Sequence, residues 1–200
     1  MIAIVDYQAG NLTSVERAVR EVGFRGSITA DAETILKADK VIFPGVGAAR
    51  QAMQSLQKSG LDAVLKKVAA GGTPLLGICI GCQILLEHSE ESDTPCLGII
   101  KGQVIRFPAD STRKVPHMGW NRVKQVQSSP LFNDIPDDAY FYFVHSYYPK
   151  PLDPDTIYGI TDYGVSFPAV IGKDNVIAVQ FHTEKSGAYG LQLLKNFCAL

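Results

Sequence analysis

Short apolar runs alternate with helical patterns through the first half of the chain, and this alternation limits the fold more than any other feature. Ile2-Ala3-Ile4-Val5 predicts a strand. Leu12, Val15, Val19 and Val22 then fall at helical spacing over residues 11–22, and Gly23 ends that helix. Ser27-Ile28-Thr29 predicts a brief strand, and Asp31 caps a short helix carrying Ile35 and Leu36. Lys40-Val41-Ile42-Phe43 predicts a strand ended by Pro44-Gly45. Helices are expected over 48–57 and 61–70. Gly71-Gly72-Thr73 breaks them before a buried strand over 74–78. Strands alternating with helices imply a parallel sheet covered on both faces. Ligands bind such sheets at the carboxyl ends of the strands. Those ends are Asp6-Tyr7, Pro44-Gly45 and Cys79.

The second half changes character. Strand-like alternation over 98–107, 122–126, 140–144, 157–161, 169–171 and 176–181, separated by turn residues, predicts antiparallel strands. A closing helix is expected over about 187–197, with Tyr189, Leu193, Leu194 and Phe197 on one face. The expected class is therefore α/β. One domain over residues 1–200 would hold a mixed, mostly parallel sheet flanked by helices, with an antiparallel extension in the second half.

Composition narrows the function. The 200 residues are 46% hydrophobic, enough for a substantial core in one domain. A formal net charge of -1, with Lys and Arg scattered, leaves no electrostatic footprint for nucleic acid or an anionic membrane. No apolar stretch approaches the ~20 residues of a membrane span. The opening Met1–Asp6 is too short and too early acidic for a signal peptide, so the cytoplasm is the expected compartment. Four cysteines, Cys79, Cys82, Cys96 and Cys198, are expected as thiols. Cys79 and Cys82 form a C-x-x-C, readable as a redox pair or half a zinc site. No second pair or His cluster completes a zinc set, and no metal or cofactor is expected.

Gly77-Ile78-Cys79-Ile80-Gly81 is a G-x-C-x-G where a buried strand meets a helix. That is the pattern of a nucleophile elbow. The glycines permit a sharp turn and close backbone approach, and a helix N-terminus favours thiolate. A small buried cysteine in a Gly-rich turn is the bland alternative. Cys82, one turn on, reads as a core residue. Gln83 reads as an exposed cap-region residue or a substrate contact.

A thiol nucleophile needs a base and the base an orienting acceptor. Val176 to Phe181 is a strand running into His182-Thr183-Glu184, and period-two alternation would point His182 and Glu184 the same way. Taken alone, His182 reads as a surface histidine at a strand end. His88, in the acidic stretch 87–93, reads as solvated. His117 and His145 are open to packing or interface roles.

Together, the Cys79 elbow and Gln180-Phe181-His182-Thr183-Glu184 resemble the class I (triad) glutamine amidotransferases, whose fold is flavodoxin-like. Further stretches resemble their branch serving as glutaminase subunits of imidazole glycerol phosphate synthase. These are Ile4-Val5-Asp6-Tyr7 with Gly10-Asn11, Pro44-Gly45-Val46-Gly47, Lys114 to Asn121, Phe143 to Tyr147, and Glu184-Lys185-Ser186. The resemblance covers essentially the whole chain, and Pro116-His117-Met118-Gly119-Trp120-Asn121 is its most specific piece.

The resemblance implies hydrolysis of glutamine to glutamate and ammonia through a thioester, with Cys79 as nucleophile, His182 as base and Glu184 as its orienter. Ile80, Val46 and Gly47 would supply oxyanion donors. Gly45, Gln83, Glu91, Ser146 and Tyr147 would bind substrate, Glu91 facing the α-ammonium. Without the resemblance, Glu91 reads as part of a solvated acidic loop. The implied partner is a (β/α)₈-barrel cyclase subunit, forming a heterodimer of histidine biosynthesis and receiving the ammonia. Asn11, Met118, Trp120, Tyr142 and Lys185 would face it, although Trp120 could instead plug the sheet edge. Three other functions remain open: a triad glutaminase serving another synthase, a catalytically silent interaction module, and a Cys-His hydrolase acting on peptides.

Overall fold

The computed structural model describes residues 1–8, 10–108 and 113–200. The apolar runs of the first half become strands in order with their helices. These are β1 (Ile2–Val5), α1 (Leu12–Glu21), β2 (Gly26–Thr29), α2 (Ala32–Leu36), β3 (Lys40–Gly45), α3 (Ala49–Ser59), α4 (Leu61–Ala70), β4 (Leu75–Cys79) and α5 (Ile80–Ile84). Asp31 caps α2 as expected, its carboxylate accepting from the Thr34 N–H at 2.7 Å.

The second half supplies β5 (His88–Ser89), β6 (Thr94–Pro95), β7 (Gly102–Arg106), β8 (His117–Gln125), β9 (Ala139–His145), β10 (Tyr147–Pro151), β11 (Ile157–Asp162), β12 (Ser166–Lys173), β13 (Val176–Val179) and α6 (Gly187–Ala199). The main sheet has nine strands in the order β2-β1-β3-β4-β13-β12-β11-β8-β9. Its strands from β2 through β13 run parallel, and those beyond pair antiparallel. A second, separately hydrogen-bonded sheet has the order β10-β7-β5-β6.

Alternation on the parallel strands explains the layers. Ile2, Ile4, Ile42, Leu76 and Ile78 pack on one face with Leu12, Val15 and Val19 of α1 and Leu193, Leu194 and Phe197 of α6. Ala3, Val5, Val41, Phe43 and Leu75 pack on the other with Ile35, Met53, Leu56, Leu65 and Val68 of α2 to α4. Both faces are dry, so these strands read as unbroken apolar runs. Among the described residues no helix is long and apolar enough to cross a membrane.

Several boundaries differ from the sequence reading. β3 continues through Pro44 and Gly45, which pair with Ile78 and Cys79 of β4. Its pairing with β1 stops at Ile42, so the N–H that proline lacks is not needed on that side. β10, with Pro149 and Pro151, was not expected; among the described residues it is an edge strand paired only with β7, where proline is tolerated. β8 starts at His117 rather than 122, and pairs with β9 from His117↔His145 to Val123↔Ala139. Tyr189 does not share the buried face of α6; it is 39% exposed, and Gly190 and Cys198 take that face with Leu193, Leu194 and Phe197.

Candidate active site

β1, β3, β4 and β13 run parallel, so their carboxyl ends meet at one edge of the sheet. Tyr7, Gly45 and Cys79 stand there, with Gln180 to His182 directly beyond β13. This topology, rather than sequence proximity, brings Cys79 beside His182.

Cys79 sits at the elbow with φ 55° and ψ -107°, a conformation costly for any residue with a Cβ. The flanking glycines are required by contact. A Cβ on Gly81 would land on the Phe43 carbonyl oxygen, and one on Gly77 would lie 2.9 Å from the Gly81 carbonyl oxygen. The chain can turn here only with both side chains absent, which is the physical content of the G-x-C-x-G pattern.

His182 lies outside β13, and Glu184 sits in a single 3₁₀ turn over Thr183–Lys185. Strand alternation is therefore not what aligns them; the turn is. Glu184 Oε1 lies 2.9 Å from His182 Nδ1, and both side chains are buried. The turn is pinned to β9: the His182 N–H donates to the Tyr142 carbonyl at 3.0 Å, and the Tyr142 N–H donates to Ser186 Oγ at 2.9 Å. Ser186 Oγ donates in turn to the His182 carbonyl at 2.6 Å.

Burial opposes charge on the His182 imidazole. Hydrogen bonds with Cys79 and Glu184, and the negative charge of both, outweigh that burial and raise its pKa to about 10. Nδ1 is committed to Glu184, so Nε2 is the atom left for the Cys79 sulfur. Cys82, Cys96 and Cys198 are held as thiols. Burial pushes Cys96 and Cys198 up to about 12 and Cys82 well above its usual value. Cys82 is a fully buried core residue, as expected. Among the described residues no cluster of His, Cys, Asp and Glu could hold a metal ion.

Cys79 and His182 open onto a cavity of about 350 Å³. Of the residues expected around substrate or oxyanion, Val46, Gly47, Ile80, Gln83, Glu91, Ser146 and Tyr147 line it. Gly45 does not; it is buried beneath, where a Cβ would strike the Tyr7 hydroxyl. Gln83 is not an exposed cap residue: it is 2% exposed, and its Nε2 donates to the Tyr147 carbonyl at 2.8 Å and to Gln180 Oε1 at 3.0 Å. Glu91 is not a freely solvated loop residue, since its Oε2 accepts from the Ala49 N–H at 2.7 Å. His88 is only partly solvated, with Nε2 2.8 Å from Asp93 Oδ1.

The five residues expected at a partner face divide. Met118 and Trp120 are 63% and 55% exposed on β8, so Trp120 does not plug the sheet edge. Its indole meets Tyr142 edge-on at 5.9 Å. Lys185 is exposed at the cavity mouth. Asn11 spends its amide internally, Nδ2 donating to Glu184 Oε1 at 2.5 Å. Sequence reasoning did not assign Gln180, although its signal was present as a polar residue in an apolar strand run. Its Nε2 lies 3.9 Å from Cys79 Sγ. His145, left open before, also lines the cavity.

The family model for glutamine amidotransferase class-I matches residues 3–200. The chain is 51% identical over 198 residues to the imidazole glycerol phosphate synthase subunit HisH of Dehalococcoides mccartyi, covering 98% of this chain and 96% of that one. It is 50% identical over 205 residues to subunit HisH 1 of Methanococcus maripaludis, covering both chains fully. The corresponding subunit of Nitratidesulfovibrio vulgaris is 53% identical over 203 residues, covering 98% and 95%. Among solved structures, a glutamine amidotransferase superposes with TM-score 0.77 at 16% identity, covering 100% of this chain and 98% of that one. PurLQS from Thermotoga maritima superposes with TM-score 0.75 at 18% identity, covering 99% and 97%. These two likenesses speak to the fold.

Proposed function

The chain belongs to the class-I glutamine amidotransferases and, within them, to the HisH subunits of imidazole glycerol phosphate synthase; from that premise we propose that Cys79, His182 and Glu184 are its glutaminase triad. As a HisH subunit it is the glutaminase of a larger synthase, which implies a cyclase subunit as partner. The observation that carries the triad is the arrangement at the cavity. His182 Nδ1 meets Glu184, His182 and Cys79 line the same cavity, and only Cys79 among the four cysteines opens onto that space.

In the proposed reaction, the Cys79 thiolate attacks the side-chain carboxamide carbon of glutamine. A C–S bond forms and the C=O π pair moves to oxygen. Collapse of this intermediate breaks the C–N bond while the His182 imidazolium gives its proton to the leaving nitrogen, releasing ammonia. Water, deprotonated by the now neutral His182, attacks the γ-glutamyl thioester. The C–S bond breaks, returning thiolate and glutamate. Glu184 keeps His182 in the tautomer whose Nε2 meets the sulfur.

The oxyanion needs backbone donors. Ile80 opens α5, where an N–H has no partner within the helix, and it lines the cavity. Val46 and Gly47 face it from the end of β3, and Gly47 has φ +97°. Glu91, Ser146 and Tyr147, with Gln83 behind them, would hold the amino-acid end of glutamine. The partner is proposed to be a (β/α)₈-barrel cyclase in a cytoplasmic heterodimer of histidine biosynthesis. It would dock over Met118, Trp120, Tyr142 and Lys185, and the ammonia would cross that face shielded from water. The exposure of Met118 and Trp120 supports this surface. Residues 1–200 are proposed to act as one glutamine amidotransferase domain.

Glutamate release from glutamine, measured on the purified chain alone and with the cyclase subunit and its ribonucleotide ligand, tests the reading. Low release alone and a large rise in the complex are expected. No release in either state would favour a silent interaction module.

A further inference from the structure

Two histidines outside the triad are buried back to back. His117 Nδ1 lies 2.9 Å from His145 Nε2. His145 Nδ1 lies 2.8 Å from the Tyr147 carbonyl oxygen, and His117 Nε2 lies 3.2 Å from Asn121 Nδ2. Both rings are buried.

The protons in this chain can be assigned from its ends. The Tyr147 carbonyl can only accept, so His145 Nδ1 carries a hydrogen. At the far end Asn121 is fixed in orientation, because its Oδ1 accepts from the Arg122 N–H at 2.8 Å and its Nδ2 donates to the Asp162 carbonyl at 2.8 Å. The second Nδ2 hydrogen therefore points to His117 Nε2, which must accept. His117 Nδ1 then carries the hydrogen that enters His145 Nε2. Every bond runs one way: Asn121 to His117 to His145 to Tyr147. A proton added to either ring would set two donors face to face. Burial agrees, lowering the His117 pKa to about 4. It also lowers that of His145 to about 3, where the charges of His117 and His182 add to burial against the bond to Tyr147.

The chain ends at the cavity. The Tyr147 carbonyl accepts from His145 and from Gln83 Nε2, and the Ser146 carbonyl accepts from the Phe107 N–H at 3.1 Å. Ser146 and Tyr147 form a wall of the cavity, so their peptides are held by bonds directed from behind. The chain starts on β8, beside the exposed Met118 and Trp120.

We infer that His117 and His145 are positioning residues: a one-directional hydrogen-bond chain from the Asn121 amide to the Tyr147 carbonyl fixes the backbone wall against which the amino-acid end of glutamine is held. This rests on the glutaminase reading above. Holding that end binds ground state and transition state alike, so the chain should act on KM more than on kcat.

The test uses the full chain in complex with its cyclase subunit. His117→Phe keeps the ring stacked between Phe143 and Tyr163, whose centroids lie 4.9 and 4.1 Å away, and deletes only the hydrogen bonds. Its glutamine KM should rise roughly tenfold with kcat within about twofold, the effect of losing one buried hydrogen bond on a binding wall. His117→Asn, which can restore a donor near the Nδ1 position, should recover most of the KM. Nitrogen-15 NMR of the wild-type imidazoles should show the Nδ1–H tautomer at both histidines, a readout that needs no variant to fold. An Nε2–H tautomer at either ring, or a KM unchanged in His117→Phe, overturns the chain. Wild-type complex that hydrolyses no glutamine overturns the glutaminase reading instead, and the tautomers distinguish the two failures.

Discussion

Glu184 holds His182 through a 2.9 Å contact between carboxylate Oε1 and imidazole Nδ1, inside the fold and set by a 3₁₀ turn rather than by a strand. Replacing Glu184 with Gln keeps the volume but lets an amide N–H face Nδ1, favouring the tautomer with its hydrogen on Nε2, where the ring can no longer accept a proton from the sulfur. Glutamine-dependent kcat should fall by on the order of 10²–10⁴, with ammonia-dependent synthesis in the complex little changed. Equal losses of both activities would count against an orienting role.

The raised pKa of His182 sets a pH dependence of stability. A histidine with folded pKa about 10 against an ordinary 6.5 adds stability in full below 6.5 and loses it as pH climbs through about 10. The gap in Tm between the wild-type chain and His182→Gln should therefore narrow from pH 6.5 to about pH 10. A gap that stays constant would contradict an imidazolium held by Cys79 and Glu184.

The elbow stores strain at Cys79, whose φ of 55° and ψ of -107° suit glycine. Cys79→Gly should therefore be more stable than Cys79→Ala by about 1 kcal/mol in urea unfolding, after the entropy cost of glycine is subtracted. This reverses the usual order of the two residues. Ala more stable than Gly would mean the backbone here is not strained.

Gly81 presses against the Phe43 carbonyl, so Gly81→Ala must push β3 from the start of α5. A loss of about 1–3 kcal/mol in unfolding free energy is expected. Gly45 meets a softer obstacle, the Tyr7 hydroxyl, which is itself buried without a partner among the described residues. Tyr7→Phe should be neutral or stabilising by up to about 1 kcal/mol, and it should rescue part of the loss in Gly45→Ala. Additive effects of the two changes would show that they do not share the space.

Much of the parallel half was legible because its strands are buried on both faces and its helices are amphipathic, leaving unbroken apolar runs between periodic ones. The elbow was legible because two glycines bracket one cysteine. The neighbour of β4 was not. Nothing local to Val176–Val179 says that it inserts beside Leu75–Cys79, yet that pairing delivers His182 to the sulfur. β10 was hidden by its prolines, which only an edge position tolerates. Met118 and Trp120 disguised the start of β8, since exposed apolar residues break the alternation that marks a strand. Gln83 and the His117–His145 pair were ambiguous because their hydrogen-bond partners lie far away in sequence.

The central claim is that Cys79 carries the γ-glutamyl group between the two half-reactions. Its most direct test is intact-mass and peptide-mapping analysis of the complex quenched with acid during glutamine turnover. The account predicts a γ-glutamyl adduct confined to the peptide containing Cys79. It also predicts no adduct and no glutamate release in Cys79→Ala, whose complex still uses free ammonia. An adduct on another residue, or glutamate release from Cys79→Ala at the wild-type rate, would contradict it.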